Sequence, residues 1–227
     1  MNSMIYNGPR PGNYLSVSDN SVLRCAKVKQ ELQNIFGADL VQLLNPDAAV
    51  LSGSDVLSVN ACIGQPAISG GVDRYVVSSY NGKTTIYGTG NPRYSLNCTP
   101  SGTLRAFFCF AQTNNLPAAL YSSLLNTSAY IFGSMAGTSS FLPAASCDVY
   151  LNDVLTLNMT TAPVLFVCNL PATVTTFQWL GNGSGSGLAS WVGHGGICGA
   201  TANPISANQR ALLLKFYRDY YGVAPPA

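Results

Sequence analysis

Between Arg105 and Arg210 the chain carries two formal charges, Asp148 and Asp153, and the other ionisable groups there are His194, cysteines and tyrosines. A stretch this long with so few charges is not an ordinary wetted surface. Nor is it a membrane span, because Ser, Thr, Asn and Gly interrupt apolar runs such as Val164-Leu165-Phe166-Val167. Soluble domains carry about a quarter charged residues, against 9% here, and subunit interfaces lose charge toward their centre. The span therefore reads as surface to be covered, and self-association is the expected consequence.

At 227 residues the chain is long enough for one β domain with a core of its own. A hydrophobic content of 47% excludes general disorder, and a net charge of +2 provides no overall attraction to nucleic acid or anionic lipid. Residues 1–11 lack the apolar stretch of a leader, and no apolar run approaches the roughly 20 residues a membrane helix needs, so no membrane span is expected. Seven cysteines, an odd number without any Cys-x-x-Cys pair, are expected to be mostly buried free thiols. Asn-x-Ser/Thr triplets at Asn97, Asn126, Asn158 and Asn182 are what chance yields in such a composition, and glycosylation is not expected without a secretory signal.

Turn formers without periodicity predict an extended amino-terminal arm over residues 1–20, followed by a single β-sandwich domain over 21–227. From Ser21, the positions Leu23, Ala26, Leu32, Ile35 and Phe36 share a helical face, and Gly37 suits its end. Strands are predicted at 56–63, 104–111, 148–151, 154–159, 163–170 and 173–180. Arg74 to Tyr80, Asn81-Gly82 and Lys83 to Tyr87 spell a hairpin. Pro117 with Leu120, Tyr121, Leu124 and Leu125 predicts a short inserted helix, and Ser206 to Gln209, a capping box, opens a carboxy-terminal helix ended by Gly222. Strands about ten residues apart mean a sandwich or barrel. The expected fold class is mainly β, an antiparallel jelly-roll-like sandwich with helical insertions, an amino-terminal arm and helix, and a carboxy-terminal helix.

Candidate chemistry is sparse. Gly196-Ile197-Cys198-Gly199 resembles the nucleophile loop of chymotrypsin-like viral cysteine proteases over those four residues, with His194 as the only histidine. A base four residues from its thiol on a glycine-rich loop is poorly placed to activate it and leave an oxyanion hole, so the segment is read as a tight loop and His194 and Cys198 as a weak reactive pair. No catalytic residue, metal ligand or cofactor is assigned. The Gly/Ser run at 181–187 lacks the Lys-Ser/Thr of nucleotide loops and reads as a mobile surface loop. Asp148 and Asp153 are too few for paired-carboxylate chemistry, and turn geometry accounts for Asp153. Phe177 and Trp179 alternate as core residues do. The bases near the amino terminus, Arg10, Arg24, Lys27 and Lys29, are the candidates for nucleic-acid contact.

An uncharged, Asn/Ser/Thr/Gly-rich chain of about eight strands with helical insertions and a loose amino-terminal arm resembles viral jelly-roll capsid proteins. The resemblance is one of class, spans the whole chain and brings no functional residues with it. It implies a sandwich tiling the icosahedral shell of a non-enveloped virus, assembled in the host cytoplasm. The implied partners are copies of itself, other capsid subunits and, weakly, the genome. The arm offers only Arg10 for charge neutralisation, which departs from shells that neutralise RNA with basic arms. The alternative class is a receptor- or carbohydrate-binding sandwich of the adhesin or fibre-tip type.

Overall fold

The computed structural model describes residues 19–69, 75–89, 95–113, 122–127, 131–134, 141–142, 147–158, 161–181 and 189–225. The expected arm up to residue 18, Arg10, most of the Gly/Ser run, and Pro117, Leu120 and Tyr121 of the expected inserted helix lie outside them. The described part is mainly β with one helix at each end.

Helix α1 spans Asp19–Phe36, two residues earlier than the sequence suggests, and a single 3-10 turn at Gly37–Asp39 leads into β1, Leu40–Ser52. β2 (Asp55–Ile63) and β3 (Ala67–Ser69) follow, then the hairpin of β4 (Tyr75–Tyr80) and β5 (Lys83–Thr89). Its Asn81 and Gly82 both take positive φ, as the two-residue turn requires. β6 (Leu96–Cys98), β7 (Leu104–Thr113), β8 (Ser122–Asn126), β9 (Ile131–Ser134) and β10 (Phe141–Leu142) come next. β11 (Asp148–Leu151), β12 (Val154–Leu155), β13 (Val164–Val174), β14 (Phe177–Trp179), β15 (Ala189–Ser190) and β16 (Val192–Thr201) complete the strands, and α2 spans Ala207–Tyr221.

Several expectations need correction. The strand expected at 154–159 is β12 over Val154–Leu155 only, and the one expected at 173–180 is divided between the end of β13 and β14. Leu124 and Leu125, predicted on an inserted helix, lie in strand β8, where tertiary pairing overrides a short helical spacing. The glycine segment around His194 is no loop but part of β16, the most heavily paired strand in the molecule. Cys25 and Cys62 are not free thiols: they form a disulfide joining α1 to β2, with Cα atoms 5.9 Å apart, while the other five cysteines are free.

β16 runs antiparallel to β7 along one edge, while its other edge pairs first with β5 and then with β1. β1 pairs in turn with β2, β2 with β4 and β4 with β5. The path β1-β2-β4-β5-β16 thus closes on itself, a barrel-like ring. β7, β13, β11 and β12 extend the sheet beyond it on one side, and β3, β6, β14, β8, β9 and β10 on the other.

The strands β7, β13 and β16 are buried on both faces. Ala106, Phe108, Phe110, Leu165, Val167 and Ile197 pack under the helices with Leu32, Phe36, Leu213 and Tyr217. Their neighbours Phe107, Cys109, Phe166, Cys168, Cys198 and Ala200 face a second core with Trp179, Trp191 and Phe177. Both faces being apolar removes the polar alternation of a half-wet strand. Much of the uncharged span is therefore covered within the molecule, by its own helices and its own second layer.

Helix α2 begins as its sequence dictates: the Ser206 hydroxyl accepts from the backbone amide of Gln209, the Gln209 side-chain oxygen accepts from the Ser206 amide, and Gly222 ends the helix in the left-handed region. Arg210 clamps its first turn to the sheet, with Nε 2.7 Å from Asp153 Oδ1 and the guanidinium 3.7 Å above the Tyr150 ring. Asp153 holds a positive-φ turn position as well as this ion pair, so turn geometry was half of its explanation.

Candidate functional site

In a regular strand His194 and Cys198 would share a face. Here the register slips between Gly195, opposite Ala111, and Cys198, opposite Cys109, so β16 has one extra residue. A Cβ on Gly195 would meet Leu180 of one core, whereas a Cβ on Gly196 would meet Tyr221 and Phe110 of the other, and Ile197 follows Gly196 to the helix side. The bulge turns His194 toward the helix layer and Cys198 toward the opposite core. The extra backbone groups are satisfied by α2: the Ile197 amide donates to Tyr221 Oη at 2.9 Å, and Tyr217 Oη donates to the Ile197 carbonyl at 2.7 Å.

Cys198 is fully buried beside Cys109, and burial holds its thiol well above the usual range. His194 sits half-buried between the edges of Tyr80 and Tyr87, with Nδ1 2.9 Å from Thr85 Oγ1. The two candidates are not brought together. Burial lowers the His194 pKa below 6.5, so the unfolded chain takes up its proton at higher pH than the native one. Its contribution to stability is complete above pH 6.5 and declines as pH falls below that value. An NMR titration of the single imidazole should give a midpoint below 6.5; one at or above 6.5 would contradict the burial account.

The second assembly of polar groups lies in the helix layer. Between Leu44 and Ala49 the β1–β2 register shifts by several residues, and Asn45-Pro46-Asp47-Ala48 bulges there under α1. Proline suits such a break because it offers no ladder donor. Asp47 accepts from the Thr84 hydroxyl and lies 3.4 Å from an Arg24 nitrogen, its side chain 4% exposed against 57% for Arg24. Its other oxygen, Oδ2, and the side-chain nitrogen Nδ2 of Asn45 are buried without a partner among the described residues. Buried polar groups in that state mark a place where structure yields to another demand.

Above this pair, α1, α2 and the β4–β5 turn enclose a groove of about 690 Å3. Its cations are Arg24 and Lys27 of α1, Lys83 at the start of β5 and Lys215 of α2; its carboxylates are Glu31 and Asp219. Each carboxylate pairs with a lysine one turn away, Glu31 with Lys27 at 3.9 Å and Asp219 with Lys215 at 2.7 Å. The Lys215 hydrogen bond pulls the Asp219 pKa down. Lys83 lies 4.5 Å over the Tyr220 ring, and burial, helped by Asp47, raises the Tyr220 hydroxyl to about 12.

Of the predicted nucleic-acid contacts, Arg24 and Lys27 line this groove, Lys29 is half-buried on α1 outside the lining, and Arg10 lies outside the described residues. Lys83, Lys215, Asp47 and Tyr220 were missed. Only the Asn-Pro-Asp break in an apolar stretch was a usable signal, since the other three are joined by tertiary packing alone.

A third feature is the sheet edge. β12 ends the strand order and among the described residues pairs only with β11. Its Val154 and Leu155 are 41% and 65% exposed, and Leu157 beyond it 37%. Compared with protein-family models, curated proteins and solved structures, the chain matches nothing.

Proposed function

We propose that the chain is a structural protein that self-associates into a closed shell, the coat of a non-enveloped virus, built from copies of itself alone or with other capsid subunits. The observation that carries this reading is the bare apolar edge at Val154, Leu155 and Leu157. Sheet edges are commonly blunted by Lys, Pro, bulges or very short strands; β12 is itself two residues long, so its exposed side chains, more than a long free backbone, are what a neighbouring copy would cover. This edge has a turn at Asn152-Asp153 and then two exposed apolar residues, with no Lys or Arg from 148 to 158. Adding a strand from a second copy would satisfy its backbone and remove its side chains from water. We read the layered, almost wholly antiparallel sheet as a jelly-roll-like sandwich adapted to such tiling, and the virion as its place of work.

Burying a leucine of this kind contributes roughly 1.5–3 kcal/mol, and symmetry repeats the contact around a shell. Leu155→Lys places a charge in the same interface and is expected to leave the subunit folded but monomeric. Light scattering with negative-stain microscopy, across salt and pH, should show closed particles or their pentameric or trimeric precursors for the native chain. A native chain that stays monomeric at high concentration would overturn the proposal, and glycan arrays would then test the binding-module class.

A further inference from the structure

We propose that the groove between α1, α2 and the β4–β5 turn binds a single-stranded phosphodiester chain, with Arg24, Lys27, Lys83 and Lys215 meeting phosphates and Tyr220 offering its ring to a base. Positive charge is one-sided among the described residues. Of the eight Lys and Arg there, six lie on α1 and α2 and a seventh, Lys83, at the start of β5 beside them, leaving Arg105 alone elsewhere. The same elements carry three acids, Asp19, Glu31 and Asp219. A surface otherwise poor in charge thus has one cationic side, and the groove runs through it.

The cations in the groove are only loosely engaged. Lys83 has no carboxylate partner among the described residues, Arg24 reaches Asp47 through one nitrogen at 3.4 Å, and the Lys27 and Lys215 pairs are solvent-exposed ones of the kind a phosphate readily displaces. They come from three separate elements along the groove, an array suited to successive phosphates of a chain rather than to one ion. Tyr220 stacks with Phe216 and carries Lys83 over its ring, so the ring opens to an unstacked base when Lys83 turns to a phosphate, and this aromatic component separates a nucleic acid from an acidic peptide. A duplex keeps its bases stacked inside and offers such a ring nothing. Binding here uses one subunit and does not depend on shell assembly.

The test is fluorescence anisotropy of a short labelled oligouridylate over a salt series, with sizing of the same samples to follow self-association separately. Single strands lose about 0.7 in log–log salt slope per phosphate neutralised, so engagement of the four cations predicts a slope of roughly −2 to −3. Lys83→Gln with Lys215→Gln is expected to weaken binding by about tenfold and flatten the slope, in line with two phosphate contacts removed. Arg105→Gln changes charge away from the groove and should leave binding within about twofold if position rather than net charge decides. Tyr220→Leu should weaken binding without changing the slope. Absence of binding at low salt, equal loss in Arg105→Gln, or equal competition by polyglutamate would each overturn the proposal, and circular dichroism checks that the variants remain folded.

Discussion

Gly196→Ala is expected to cost roughly 3–5 kcal/mol of stability, adding core overpacking to the loss of a buried backbone partner. A Cβ there would lie 2.5 Å from Tyr221 Oη, 2.6 Å from Cζ of the same ring and 2.8 Å from Phe110 Cβ. None of these can yield easily. The Tyr221 ring stacks on Phe110 with centroids 4.1 Å apart, and its hydroxyl is the acceptor for the bulged Ile197 amide. Moving the ring leaves that amide buried and unpaired, and the Tyr217 bond to the Ile197 carbonyl then bears on a displaced bulge. Gly102→Ala, where a Cβ meets nothing within 4 Å, is the matched control. Urea unfolding of the two variants decides the matter. A midpoint for Gly196→Ala equal to that of Gly102→Ala would mean that the bulge does not depend on this contact.

Reduction of the Cys25–Cys62 disulfide is expected to lower stability by about 4 kcal/mol in the chain-entropy view, in which cross-linking restricts the unfolded chain. The separation of 37 residues spans most of α1, all of β1 and most of β2, a loop long enough for that term to be large. The bond also secures the half of α1 with the least packing. Val22 and Leu23 are 62% and 68% exposed, and from Val22 onward the first buried residue of the helix is Val28. The long Arg24–Asp47 contact also ties this part to the sheet. Unfolding with and without dithiothreitol should therefore differ strongly for the native chain and not at all for the variant carrying Cys25→Ala and Cys62→Ala. Identical native midpoints in both conditions would show that the pair is not bonded or does not matter. Since cytosolic thiols stay reduced, a chain made there would acquire this stability on release into an oxidising medium.

The capping box of α2, its glycine stop, the Asn-Gly hairpin and the strands at 56–63, 104–111 and 148–151 were legible because each rests on neighbours in sequence. The uncharged span was legible as something covered, but not by what. β7, β13 and β16 carry no polar alternation because both their faces meet protein, and nothing local distinguishes the protein's own helices from a second subunit. The glycine segment of β16 was read as a tight loop whose glycines permit close packing, and it is a strand with that close packing. In the structure the glycines are positions where Gln112, Tyr221 and Phe108 come too close for a Cβ, as at Gly193, Gly196 and Gly199. The disulfide was hidden for the same reason as the groove: the sequence holds the residues, and only the packing of α1 on β2 and β1 brings them together.

The closed ring has a consequence for how the chain comes into being. Its seam, β16, is the last strand, and it supplies the partner for β1, β5 and β7 at once. Leu40 meets Thr201 across that seam, so the ring joins residues separated by most of the polypeptide. Such long-range closure is slow, because loop entropy is spent before any contact repays it. A nascent chain emerging from the ribosome therefore carries three unpaired strand edges until Thr201 has been made, and α2 can dock its tyrosines on the bulge only afterwards. During synthesis the molecule is at its stickiest. Helper proteins that shield strand edges would act in that interval, before the last strand closes the ring.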